Sequence, residues 1–102
     1  MPSQLRIYTI KPRQIENWVQ FFKQKVVPLH AKFGIPVHSA WVNAAESQFF
    51  WVRDFAAGEA IEEQERRYVN WDERLRFIGD ESKSYIDNMV VHTVERAYER
   101  QA

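Results

Sequence analysis

Gln48-Phe49-Phe50-Trp51-Val52-Arg53-Asp54-Phe55 (48–55) is a run of aromatic and β-branched residues with no Gly or Pro inside it, which reads as a strand. Along a strand successive side chains alternate between the two faces of a sheet, so Phe49, Trp51 and Phe55 point one way and Phe50 and Val52 the other. An antiparallel sheet with one wet face should alternate apolar and polar. This strand carries bulk on both sides, so both faces of its sheet need a cover. Arg53 sits among that bulk, and a charge held there must find a partner.

Upstream, Asn43-Ala44-Ala45-Glu46-Ser47 is a short turn to another strand, Val37 to Asn43, which makes the pair an antiparallel hairpin. Leu5 to Ile10 is the first strand. Pro12 suits the first turn of a helix, and Ile15, Trp18, Val19, Phe22, Val26, Leu29 and Phe33 follow at steps of three and four, as one apolar stripe. Pro28 interrupts that stripe and predicts a kink; Gly34 and Pro36 end the helix. Downstream, Ala56-Ala57-Gly58 leads into a mostly solvated helix, Glu59 to about Tyr68, with Glu62–Arg66 and Glu63–Arg67 spaced as i,i+4 ion pairs. Asn70 reads as the N-cap of a short helix with Glu73 at the capping-box position; Trp71, Leu75 and Ile78 share its inner side and Gly79 ends it. Asp80 to Ser84 is a polar loop, Asn88 to Glu95 the fourth strand, and Arg96 to Ala102 a polar tail. The order is α+β, a ferredoxin-like βαββαβ with a four-stranded antiparallel sheet and its helices on one face, spanning 1–102 as a single domain.

The other strands repeat the two-sided pattern: Leu5 and Ile7 oppose Tyr8 and Ile10, and Met89 and Val91 oppose Val90, His92 and Val94. Helices cover one face, and a second copy of the chain, sheet against sheet, is the simplest cover for the other. Alternation alone leaves open which parity meets the partner. With 102 residues the chain is one domain's worth. Its 15% aromatic content is more bulk than so small a core needs. Lys plus Arg equals Asp plus Glu at 14 each, so no basic field attracts nucleic acid. There is no cysteine, which fits a reducing compartment. No apolar run approaches the roughly 20 residues of a membrane span. The N-terminus runs straight into a strand pattern, so no signal peptide is expected and the default compartment is cytoplasmic.

Leu5-Arg6-Ile7-Tyr8-Thr9-Ile10-Lys11-Pro12 resembles the opening of the NIPSNAP family, within the dimeric α/β-barrel superfamily. Leu29, His30 and Phe33-Gly34-Ile35 sit where that family ends its first helix, and Phe50 to Phe55 resembles its third strand. The resemblance runs from about residue 4 to 96. It implies a ferredoxin-like protomer pairing through its sheet. It implies little about chemistry: the superfamily holds cofactor-free monooxygenases, haem-degrading enzymes, isomerases and ligand-binding domains, and no complete catalytic set from those branches is matched here.

His30, His38 and His92 are the only histidines and share no metal-ligand spacing. A haem-ligating role for His30 or His92 stands behind a structural one, and no metal or cofactor is expected. His30, near the end of its helix, is placed to meet the dipole as a cation. No phosphate loop or nucleophile elbow is present. Tyr8, Trp18, Phe22, Trp41 and Trp51 could line an apolar cleft between the sheet and the first helix, with His30 beside them. Arg53 is either an anchor for an anionic or carbonyl group or half of a structural ion pair. The expected ligand is a small apolar or aromatic molecule. The alternatives are a cofactor-independent oxygenase or isomerase, and a non-catalytic interaction module.

Overall fold

The computed structural model describes residues 2–101, so Met1 and the last residue of the expected polar tail lie outside it. Four antiparallel strands, β1 (Ser3–Ile10), β2 (Val37–Val42), β3 (Gln48–Asp54) and β4 (Ile86–Val94), lie in the order β2-β3-β1-β4. This is the ferredoxin-like arrangement. Tyr8 pairs with Phe49 on one side and Met89 on the other, and Arg6 with Trp51 and Val91. Parity then fixes the faces. Gln4, Arg6, Tyr8 and Ile10 share a side with Phe49, Trp51 and Arg53, and there the buried side chains collect. Leu5, Ile7, Phe50, Val52 and Val90 share the opposite side.

The first helix is three segments without a break: α1 (Ile15–Phe21), a π-helical turn (Phe22–Val26) and α2 (Val27–Phe33). Pro28 has no N–H and its ring crowds the carbonyl four residues back. The chain answers with a wider turn just before it, in which the Val27 N–H donates to the Phe22 carbonyl. The kink expected at Pro28 is thus a π turn, which shifts the phase of the residues after it. Phe21 and Phe22 are both buried before the shift is complete, and Leu29 and His30 both after it, whereas a plain stripe gives Leu29 and Phe33. Gly34, at φ 102°, ends the helix in the left-handed conformation and its N–H donates to the His30 carbonyl at 3.1 Å.

Several boundaries differ from the sequence reading. Pro12 is in a turn rather than a helix: the Gln14 N–H donates to the Lys11 carbonyl, Arg13 has φ 65°, and the helix starts at Ile15. The third helix, α3 (Ile61–Val69), buries Gln64 and Tyr68. Its ion pairs are Glu63–Arg66 and Glu59–Arg67, because Arg67 turns back toward the loop before the helix. Gln64 fixes that loop by donating to the Ala56 and Glu59 carbonyls and accepting from the Ala56 N–H, each at 3.0 Å. Asn70 caps the end of α3, its side chain donating to the Arg66 carbonyl at 2.9 Å, and is not the N-cap of α4 (Asp72–Phe77). Most of the expected loop, Asp80 to Ser84, falls in a 3-10 turn, Glu81–Tyr85.

The main core joins Tyr8, Trp18, Phe22, Phe49 and Trp51, and a smaller one joins Ile35, Phe55 and Tyr68 under α3. The helices shelter β1 and β3. They leave β4 largely uncovered on both sides, so Met89 and Val91 on the helix side stay exposed.

Candidate functional site

Arg53 is where a mid-strand charge has to be satisfied. It faces the helices, is 5% exposed, and spends its guanidinium in three directions. Nε donates to Gln4 Oε1 at 3.0 Å, Nη1 to His30 Nε2 at 3.0 Å, and Nη2 to Glu65 Oε2 at 2.8 Å. Both sequence alternatives for Arg53 are therefore geometrically open at once: it is ion-paired, and it borders a cleft. Burial lowers its pKa to about 10, as does the neighbouring Arg6, so it remains a cation at neutral pH.

A guanidinium has only donors, so Nε2 of His30 must be an acceptor and its proton sits on Nδ1. That N–H reaches the Val26 carbonyl at 2.9 Å and the Tyr68 hydroxyl oxygen at 3.1 Å. Burial, then the charge of Arg53, push the His30 pKa down to about 3. His30 is thus a neutral imidazole locked in one tautomer, which corrects the reading of it as a cation meeting the helix dipole. Tyr68 accepts from His30, leaving its own proton to donate elsewhere, and burial raises its pKa to about 12.

Arg6 extends the network along β1. Its Nε donates to the Tyr8 hydroxyl at 2.8 Å and its Nη1 to Gln4 at 2.8 Å, with Glu65 Oε2 at 3.4 Å. Arg74 reaches in from α4, its guanidinium 5.5 Å from the centre of the Tyr68 ring.

These groups surround a half-open cleft of about 110 Å³ between the sheet and the helices. Of the residues expected in the site, Tyr8, Trp18, His30, Trp51 and Arg53 line it together. Phe22 does not: it lies behind Trp51 and Trp18, with ring centres 5.2 and 5.9 Å away. Trp41 does not either. It pairs with Phe50, on the far side of the sheet, and is 55% exposed. Arg6, Val26, Val69, Ile78 and Ser82 line it as well. So do Glu65, Tyr68 and Arg74, which were missed by sequence reasoning, since a charged helix hides which of its residues turn inward. Tyr68 left one trace, as the single aromatic in that helix, seven residues after Ile61. Among the described residues, the buried side-chain nitrogens lacking an acceptor are Trp18 Nε1, Trp51 Nε1 and Arg74 Nε, and all three residues line this cleft. The cleft shares Arg6, Tyr8, Arg74 and Ser82 with a shallower groove of about 400 Å³ running over Ile86 and Met89 of β4.

His38 and His92 lie elsewhere. His38 contacts Ser39 at 2.9 Å and lies 3.9 Å from Glu99 in the tail. Among the described residues no group of three or more His, Asp or Glu could hold a metal ion, and no helix is long and apolar enough to cross a membrane.

No protein-family model matches the chain, and no curated protein matches its sequence. Its fold is shared with solved structures over nearly its whole length. A NIPSNAP domain protein from Burkholderia xenovorans superposes with a TM-score of 0.79 at 10% identity, covering 99% of this chain and 100% of that one. A NIPSNAP family protein from Agrobacterium tumefaciens gives 0.78 at 12% identity, covering 92% and 90%. An antibiotic biosynthesis monooxygenase gives 0.70 at 10% identity, covering 96% and 100%. The resemblance seen in the sequence is therefore met by the fold, which is that of NIPSNAP-domain and monooxygenase-like ferredoxin-like structures.

Proposed function

We infer that this NIPSNAP-fold chain is a small-molecule-binding domain whose ligand enters the cleft between the sheet and the first helix, and that it works as a homodimer paired through the open sheet face. The observation that carries the reading is the set of buried N–H donors without acceptors, all on residues lining one cleft. A buried donor left unpaired costs about 1–3 kcal/mol, a cost a ligand oxygen relieves. At about 110 Å³ the cleft is smaller than the ~150 Å³ apolar cavity that takes benzene, but it opens on one side. A single ring or a smaller planar group fits, with any tail lying along the β4 groove. Aromatic walls from Tyr8, Trp18 and Trp51 suit such a body.

The pairing rests on the open face. Leu5, Ile7, Phe50 and Val52 make an apolar surface flanked by Trp41, 55% exposed, and Val90, 41% exposed. A large apolar face of this kind marks an interface. The cysteine-free chain suits a reducing compartment, and the cytoplasm is part of the same proposal.

A catalytic reading, cofactor-independent oxygenation or isomerisation, has the tautomer-locked His30 in its favour. It ranks second because a histidine with a pKa near 3 is a weak base at neutral pH. The interaction-module reading has less support, since the space under the first helix is not filled by side chains.

Titrating benzoate, benzamide, phenol and catechol against intrinsic tryptophan emission tests the site. At least one should perturb Trp18 or Trp51 at submillimolar concentration, and Trp51→Phe should weaken that response. No binding by any of them at millimolar concentration would refute it.

A further inference from the structure

Among the described residues, Glu65 is the single acid lining the cleft, against three arginines, Arg6, Arg53 and Arg74. It is also badly placed to be a permanent structural partner. Its side chain is 31% exposed while that of Arg53 is 6% exposed. One of its oxygens, Oε2, takes both guanidinium contacts, at 2.8 Å from Arg53 and 3.4 Å from Arg6. The arginines do not depend on it for position. Arg53 is held by Gln4 and His30, and Arg6 by Gln4 and Tyr8. Take Glu65 away and a preformed, doubly cationic seat remains, in a cleft that Arg74, Trp18 and Trp51 also line.

Apart from the Ser82 hydroxyl, the remaining polar groups are donors or already occupied. Gln4 Oε1 already accepts from both arginines, and Tyr68 accepts from His30 and keeps a proton to give. A ligand that brought further donors would find almost nothing to accept them. A carboxylate would find the two charged donors that Glu65 now holds, Arg53 Nη2 at 2.8 Å and Arg6 Nη1 at 3.4 Å.

We propose that the cleft takes a small carboxylate, and that this carboxylate exchanges with Glu65 between Arg6 and Arg53 while the Glu65 side chain turns out to water. The proposal rests on the reading of the cleft as a ligand site. Exchange keeps one carboxylate among the buried guanidinia before and after, so the entering anion is not left unpaired. Glu65 starts close to solvent on α3, so its rehydration asks for a side-chain rotation alone. An internal competitor lowers apparent affinity by the fraction of time the seat is free, so anything that withdraws the competitor should tighten binding.

Calorimetric titration of benzoate and its neutral match benzamide into the full chain at fixed salt tests this, with Glu65→Gln, Glu65→Asp and Arg74→Gln and a melting curve on each. Benzoate should bind in preference to benzamide. Glu65→Gln should bind benzoate about tenfold tighter, and Arg74→Gln about tenfold weaker. Glu65→Asp decides the matter, since it keeps the charge but shortens the reach to Arg53; it too should tighten binding. Unchanged or weaker benzoate binding in Glu65→Asp would overturn the exchange and leave the site standing. Benzamide binding as well as benzoate would overturn the carboxylate class. Binding of neither probe to any folded variant would overturn the exchange, and the absence of phenol and catechol binding as well would remove the site.

Discussion

The two faces of this sheet carry similar bulk in the sequence and do opposite things with it. On the helix side, Tyr8, Phe49 and Trp51 are buried among polar groups: Gln4, Arg6 and Arg53 come from the same strands and are satisfied by His30, Tyr68 and Glu65 from the helices. On the other side, Leu5, Ile7, Phe50 and Val52 stand together without such a network. The face with buried arginines holds the cleft, and the face whose acid, Asp54, sits at the end of the strands against Ser3 is left open. Apolar bulk marks where a surface wants a cover; buried charge among bulk marks where something is recognised.

The contrast can be broken from either side. The largest effect is expected on the open face. Phe50→Asp should leave each protomer folded and raise the dimer dissociation constant by about 10³-fold, since an unpaired carboxylate buried in an interface costs roughly 3–5 kcal/mol. Light scattering at micromolar protein should fall from twice the chain mass to that of a single chain. A wild-type chain that is monomeric at those concentrations would sink the pairing.

Next comes Arg53→Met on the helix face. It strands the His30 Nε2 and takes the nearer cation from Glu65, so the unfolding free energy should fall by about 2–3 kcal/mol in a urea titration. Ligand affinity should fall with it. Undiminished stability would mean that the Arg53 network is incidental to the fold.

The third effect is smaller and depends on pH. His30 titrates near 6.5 in the unfolded chain and near 3 when folded. Between those values the unfolded state holds the extra proton, so stability rises with pH across that window and is lost as pH falls from 6.5 toward 3. At pH 5 the loss through this residue is about 2 kcal/mol relative to neutral pH. His30→Gln should remove that part of the pH dependence, and parallel acid profiles for the two proteins would show that His30 does not carry it.

Parity makes much of this legible from residue order. A run such as Phe49 to Phe55 assigns each side chain to a face by counting, so Trp51 and Arg53 group together on sequence alone, whereas joining Tyr8 and Trp18 to them takes the β1–β3 register and the side on which the helix packs. Counting fails where the phase changes. Trp41 shares a face with Phe50 through the register that the hairpin turn sets, and the slip between Val37 and Ser39 carries Val37 across to the helix side, opposite Arg53. Phe22 opens the π turn and His30 lies beyond it, and no periodicity announces that turn. In α3 the run Glu62 to Arg67 is wholly charged or polar, and the choice of Gln64, Glu65 and Tyr68 over their neighbours is made by tertiary contacts. Arg74 is hidden for the same reason.

The wide turn at Phe22–Val26 gives the first helix one residue of slack. A π turn holds an extra residue within a single turn of helix, so removing an exposed one there, such as Gln24, can be absorbed by a return toward regular α-helical pitch, at the cost of the crowding that the Pro28 ring then meets. The imidazole of His30 would then keep its place opposite Arg53. The sheet has no such reserve. Loss of one residue inside β3, upstream of Arg53, would move that guanidinium to the open face, because a one-residue slip in a strand exchanges its two sides. A deletion of three bases in the coding sequence should therefore spare the polar wall of the cleft in one place and dismantle it in the other.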